Sequence, residues 1–267
     1  MCENDSGIET TADTLPLRVE REGWLSIAGG GVIMVIVLMI PVVDYIFNYL
    51  IILVHEFGHC FFGWLFGYPS LPVFDAKYGG GLTVHQGREM CLVIIIYALC
   101  GCLLFFYRRN LLTVISLAVI LAAYSLAAFT RIHEVIILFM GHGFELVFAG
   151  IFLYRALSGS AIIQAAERPL YGCLGLFIEF RDIRFGFNLV TSRHHREAYE
   201  AAKGGGHWMD FSRIAENYLH VDLTVVAGFF LLCCFIPPVL AFIAYRYRPW
   251  WLPAMYERLS LKPGADE

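Results

Sequence analysis

Charged residues are scarce in this chain of 267 residues. Only 16% of its residues are charged and 58% are hydrophobic, and the mean hydropathy is +0.65. Soluble domains carry about 25% charged residues, so this composition excludes a soluble globular enzyme, a disordered chain and a secreted domain held by disulfides. An excess of basic residues is also absent: the net charge is −4 with 19 Lys and Arg, which excludes a nucleic-acid-binding protein. The composition instead indicates a protein embedded in the lipid bilayer.

Closely spaced cysteine pairs are missing as well. The eight cysteines include no Cys-x-x-Cys pair, which is the usual spacing in a thiolate zinc site. Most of them lie in or beside apolar runs, where cysteine behaves as a small hydrophobic residue. We therefore expect the cysteines to pack between helices rather than to bind metal or to form disulfides.

Long apolar runs make up most of the chain. A helix needs about 20 apolar residues to cross the hydrocarbon layer, which is about 30 Å thick. The first run, residues 29–67, would be roughly 58 Å long as one straight helix. We therefore predict two helices, over about 25–43 and 45–66, with a break at Pro41 near Asp44.

The later apolar runs each have the length of one membrane span. They cover residues 91–107, 111–129, 135–157, 169–190 and 223–245. The fourth of these runs also carries charged residues, so it is either a span with a charged inner face or a helix at the membrane surface. Pro237 and Pro238 should kink the last run. The predicted fold is an all-α polytopic membrane helix bundle with six or seven transmembrane segments.

Polar stretches divide the chain into three parts. We expect residues 1–23 to form a polar N-terminal tail, residues 24–247 a single integral-membrane domain, and residues 248–267 a C-terminal tail. Two stretches inside the membrane domain should be aqueous loops. The first, 67–90, is rich in Pro and Gly and has room for a short hairpin, and the second, 191–220, contains a basic stretch that favours a helix.

An HExxH motif lies inside the second predicted helix. It consists of His55, Glu56 and His59. Residues four apart on a helix differ by about 40° around its axis, so both imidazoles project from one face and suit one Zn²⁺. Glu56 lies one step around the helix, where it can take a proton from water. Three ionisable side chains are costly in an apolar helix unless they are paired or bind metal, so we interpret the motif as a zinc site with Glu56 as catalytic base.

A second polar pair, His142 and Glu145, lies in the run over residues 135–157. The two residues are three apart and therefore share a helix face. They could orient His55 or His59 through hydrogen bonds, supply a missing zinc ligand, or only bond to each other between helices. The sequence leaves these three interpretations open.

The stretch Ile52–Pro69 (ILVHEFGHCFFGWLFGYP) resembles the metal-binding helix of the site-two-protease family of intramembrane zinc metalloproteases. The resemblance is strongest to the corresponding helix of the compact, bacterial-type members of that family. In that family, an Asp near the start of a later helix completes the zinc site. The best match is Asp210 in the segment HWMDFSRIAENYL. The family's Asp-Gly pair is absent, because Phe211 follows Asp210. A helix cap or a solvated loop carboxylate is the alternative role for Asp210.

The resemblance implies a zinc-dependent intramembrane endopeptidase that hydrolyses peptide bonds of membrane-tethered substrates. Its Zn²⁺ would be held by His55, His59 and Asp210, and its location would be a bacterial inner membrane. Two other functions stay open. One is a non-catalytic, protease-like scaffold or subunit of a larger complex, and the other is a metal transporter that uses the intramembrane His and Glu residues.

The loop after the metal-binding helix contains three consecutive glycines, Gly79, Gly80 and Gly81. Proteases often hold an extended substrate by adding it as a strand to an exposed sheet edge, and this loop could offer such an edge. Glycine-rich turns also occur in any tight connection. The glycines therefore indicate either a strand edge that binds the substrate or an ordinary tight turn.

Overall fold

A computed structural model of the chain describes residues 19–75, 80–202 and 209–259. Most of these residues are helical. The helices are α1 (Arg21–Met39), α2 (Pro41–Leu65), α3 (Met90–Phe106), α4 (Leu111–Ala128), α5 (Ile132–Ser158), α6 (Glu167–Thr191), α7 (Arg193–Ala201), α8 (Asp210–Arg213), α9 (Leu223–Cys233), α10 (Ile236–Arg246) and α11 (Arg248–Leu259). A π-helical segment, Ile214–Leu219, follows α8 directly. The strands are β1 (Ser70–Asp75) and β2 (Gly80–His85).

Within the described residues, five helical segments are long and apolar enough to cross a membrane. They are α1, α2, α4, α5 and the stretch formed by α9 and α10. The remaining predicted spans correspond to α3, an apolar helix of 17 residues, and to α6, which carries the charged residues. The predicted all-α membrane helix bundle is therefore confirmed.

Proline sets both breaks in the long apolar segments. The first break falls at Ile40, directly before the predicted break at Pro41, whereas the predicted helix bounds at residues 43 and 45 lie a few residues too late. Pro41 occupies the first turn of α2, where its missing N–H group is not needed for a helical hydrogen bond. The second break separates α9 from α10, and Pro237 lies in the first turn of α10. The predicted kink in the last span is present.

The long helix α5 lies at the centre of the bundle. It packs against α2, α6 and α10, while α1 packs mainly on α6. One apolar cluster joins α1, α2, α5 and α6 through Val37, Ile51, Ala149 and Phe177. Because α5 contacts both α2 and α6, polar side chains on its inner face lie close to polar side chains of both neighbours.

The connection between α2 and α3 forms a short antiparallel hairpin. Ser70 pairs with His85 at its open end, and Asp75 pairs with Gly80 beside the turn. Both strands pack against α2. This packing places β2 next to the helix turn that carries the HExxH motif.

The segment before the last span returns to the interior of the bundle. Phe211 in α8 is completely buried and packs edge-on against Phe230 of α9, with ring centroids 5.1 Å apart. Ile214 and Ala215 in the π-helical segment are buried as well. These apolar contacts fix the position of α8, which begins at Asp210.

Candidate metal centre

Three ligand atoms converge between α2 and α8. The Nε2 atoms of His55 and His59 are 3.0 Å apart, and each is 3.1 Å from Oδ2 of Asp210. The two imidazoles come from successive turns of α2, as the spacing of four predicts. The predicted helix face therefore meets the carboxylate proposed by family resemblance, although 151 residues separate His59 from Asp210.

The other ring nitrogen of each histidine has its own partner. Nδ1 of His59 is 2.7 Å from the backbone carbonyl of Ile137, and Nδ1 of His55 is 2.9 Å from Oε1 of Glu145. A carbonyl can only accept, so His59 carries its proton on Nδ1, and the carboxylate assigns the same tautomer to His55. In the neutral imidazoles, both Nε2 lone pairs then point toward Asp210.

Glu145 bridges two histidines. Its Oε2 atom is 2.9 Å from Nδ1 of His142, while Oε1 contacts His55. Glu145 is only 3% exposed. The ring of His142 packs among aromatic side chains, with its centroid 4.8 Å from that of Phe211 and 4.9 Å from that of Phe185. His142 and Glu145 thus lie directly behind the imidazole of His55.

Gly141 lets α5 approach the two imidazoles closely. A Cβ atom at this position would lie 2.4 Å from Nε2 of His59 and 2.6 Å from Nε2 of His55. Any side chain here would therefore collide with the candidate ligands. Gly141 was not among the residues predicted from the sequence, where its signal is a Gly-His-Gly triplet inside an apolar helix.

Glu56 is held by the hairpin. Its Oε2 atom accepts a hydrogen bond from the Thr83 hydroxyl at 2.7 Å. A Cβ atom on Gly81 would come within 2.3 Å of Cγ of Glu56, so only glycine leaves room for this carboxylate. Thr83 was not predicted from the sequence either, because the spacing of residues along the chain does not reveal that β2 packs against α2.

One cavity of about 540 Å³ joins these groups. The predicted site residues among its lining are His55, Glu56, His59, Gly80, Gly81, His142, Glu145 and Asp210. Gly79 lies outside the described residues. The hairpin edge and the candidate metal ligands therefore border the same space.

Tyr199 on α7 closes the cavity beside Asp210. Its hydroxyl accepts a hydrogen bond from the backbone N–H of Phe211 at 3.3 Å. Burial, followed by the negative charge of Asp210, raises the pKa of the Tyr199 phenol. This phenol is therefore neutral and keeps its proton near Asp210.

Comparison with known proteins identifies the family of the chain. The model of the Peptidase M50B-like family matches residues 28–232, about three quarters of the chain, and the matched range includes every candidate ligand. No curated protein and no solved structure matches the chain. The resemblance to site-two proteases is confirmed by the family match. The chain therefore belongs to the Peptidase M50B-like family of membrane metallopeptidases.

Proposed function

We propose that this protein is a zinc-dependent intramembrane endopeptidase whose Zn²⁺ is held by His55, His59 and Asp210. The observation that carries the proposal is the triangle of two Nε2 atoms and one Oδ2 atom, with edges of 3.0–3.1 Å, in the wall of the cavity. The substrates would be membrane-tethered polypeptides with a locally unwound segment, because the backbone of a helix is shielded from attack.

The donor set fits zinc in two respects. In tetrahedral coordination with Zn–N distances of about 2.0–2.1 Å, neighbouring ligand atoms lie roughly 3.3 Å apart, close to the edges of this triangle. The tautomers of His55 and His59 also direct two lone pairs at a carboxylate oxygen. Three such acceptor atoms repel one another unless a cation lies between them.

Each histidine would be oriented by a group behind it. The Ile137 carbonyl would hold His59, and the Glu145 carboxylate would hold His55, which is the usual arrangement of ligating histidines. Both Glu145 oxygens already contact histidine Nδ1 atoms. We therefore assign His142 and Glu145 to orientation rather than to zinc ligation.

Glu56 would act as the proton carrier of the reaction. Bound at the triangle, Zn²⁺ would supply Lewis acidity that polarises a scissile carbonyl and lowers the pKa of water toward about 7. Glu56 would accept the proton of the attacking water and deliver it to the leaving amine. The Thr83 hydroxyl would keep the Glu56 carboxylate in the orientation that this transfer requires.

The hairpin would hold the substrate. Gly80 and Gly81 border the same cavity as the candidate ligands, and Gly81 packs directly on Glu56. An extended segment lying along β2 would bring its backbone past Glu56 and the metal. We propose that Gly79–Gly81 form this substrate edge, with Gly79 outside the described residues.

The geometry favours hydrolysis over metal transport. Among the described residues, two groups could hold a metal: His55 with His59 and Asp210, and His55 with His142 and Glu145. Both groups share His55 and border one cavity, whereas a transport path needs successive separate sites. Residence in a bacterial inner membrane stays a prediction from the resemblance.

The decisive test of this function compares wild type with Glu56→Gln. Both purified proteins are loaded with zinc, and cleavage of a panel of co-reconstituted single-span membrane proteins is followed by mass spectrometry. We expect Glu56→Gln to retain zinc and to lose cleavage by at least about 100-fold, because proton transfer contributes about 10²–10⁴-fold. Equal cleavage by the two proteins, or no zinc-dependent cleavage by either, would favour the scaffold role.

A further inference from the structure

Two arginines in the cavity wall have no counter-ion among the described residues. Arg184 lies on α6 and Arg213 at the end of α8, and both line the cavity that contains the candidate ligands. Neither side chain forms an ion pair or a hydrogen bond with another described residue. Arg184 is exposed and Arg213 is half-buried.

The other cavity charges are already paired or face elsewhere. The third arginine of the wall, Arg181, forms an ion pair with Asp44 of α2. The carboxylates of Asp210 and Glu145 contact histidines, and the carboxylate of Glu56 accepts the hydrogen bond of the Thr83 hydroxyl. Asp182 is buried two residues before Arg184, and residues two apart on a helix do not face each other. The wall therefore presents two unneutralised guanidinium groups.

Both arginines flank the place where a substrate would lie. Arg213 follows Asp210 by three residues on the same helix, so its side chain starts from the same face as the candidate ligand. His85 at the end of β2 lines the same cavity as Arg213. Arg184 lies on the side of α6 that faces the cavity, because Arg181 three residues before it and Asn188 four residues after it line the same wall.

An unpaired guanidinium within a membrane protein is costly, and such residues commonly mark a binding path. The planar fork of arginine matches a carboxylate through two parallel hydrogen bonds. We infer that Arg184 and Arg213 bind a carboxylate of the substrate close to the scissile bond. The enzyme would then select substrates with Asp or Glu beside the cleaved bond, or with a free C-terminus there. This inference rests on the proposed function.

Binding can be measured without hydrolysis. The probe is a set of fluorescent synthetic transmembrane peptides that carry Glu, Gln or Lys at successive positions of a central window, each with a free or amidated C-terminus. The protein is full-length Glu56→Gln in detergent, so no peptide is cleaved. At one or two positions, we expect the Glu peptide to bind about tenfold more tightly than the Gln peptide, and the Lys peptide to bind most weakly.

Substitution of the arginines should remove this selectivity. In Arg184→Gln and Arg213→Gln, the preference for Glu over Gln should fall to about twofold or less, while zinc content and thermal midpoint stay unchanged. Arg193→Gln is the matched control, because Arg193 pairs with Glu197 on α7 outside the cavity wall. This control should keep the full preference. If free-acid peptides bind more tightly than amidated peptides whatever residue the window carries, and the arginine substitutions remove this difference, the bound carboxylate is the C-terminus.

Three results would overturn the inference. One is equal binding of the Glu and Gln peptides together with equal binding of the free and amidated peptides, and another is a preference that survives both arginine substitutions. The third is arginine-dependent binding of phosphatidylglycerol nanodiscs without any peptide preference, which would assign the arginines to lipid headgroups. Because binding is measured without cleavage, any of these results leaves the hydrolytic function standing, and failure of hydrolysis leaves the binding result intact.

Discussion

Replacing Gly141 by alanine should disrupt the metal centre with the smallest possible change. The added Cβ would lie 2.4 Å from Nε2 of His59, whereas ordinary van der Waals contact begins at 3.4 Å. The imidazole or the α5 backbone must therefore move by the difference, 3.4 − 2.4 = 1.0 Å. Zinc sites tolerate deviations of only about 0.2 Å in ligand distance. We therefore expect zinc affinity to fall by at least about 100-fold.

The assay is competition between the purified protein and a chromophoric zinc chelator. Gly143→Ala provides the control, since a Cβ there would meet the flexible end of Met140 in the same helix and no candidate ligand. Gly143→Ala should bind zinc within a few-fold of wild type. Wild-type zinc affinity in Gly141→Ala, or equal losses in both variants, would refute the view that α5 leaves room for the metal at this point.

Three further variants test neighbouring contacts. Thr83→Val removes the hydroxyl that bonds to Glu56, so kcat should fall about tenfold while zinc content and KM stay unchanged. Thr83→Ser should recover most of the activity. A change in KM alone would contradict this role of Thr83. Glu145→Leu removes the carboxylate that contacts His55 and His142. Zinc affinity, measured by chelator competition, should fall about 10- to 100-fold. An unchanged affinity would exclude the orienting role of Glu145. Asp44→Ala leaves Arg181 without its partner and should destabilise the protein by about 1–3 kcal/mol in thermal unfolding, a loss that should shrink when Arg181→Ala is added.

Local spacing predicted the parts of the site that one helix carries. His55 and His59 share a face of α2 because the helical repeat requires it, and this holds whatever packs against the helix. Asp210 came from family resemblance alone, since no local rule relates residues 151 positions apart. Its position next to the imidazoles depends on the burial of Phe211 against α9.

The contacts that the sequence analysis missed all depend on packing between elements. Thr83 reaches Glu56 because the hairpin lies on α2, and Gly141 matters because α5 crosses the same turn. Neither arrangement follows from hydrophobic periodicity. The break between α1 and α2 lies at Pro41, as predicted, because proline is favoured in the first turn of a helix; only the helix bounds drawn at residues 43 and 45 were a few residues late.

The central claim is that His55, His59 and Asp210 together hold one zinc ion. The most direct measurement is the zinc content of purified wild type, His55→Ala and Asp210→Ala, determined by mass spectrometry after dialysis against a weak chelator. The account predicts one zinc per wild-type chain and less than about a tenth of that in both variants. Full zinc content in Asp210→Ala would contradict it and would point to His142 or Glu145 as the third ligand.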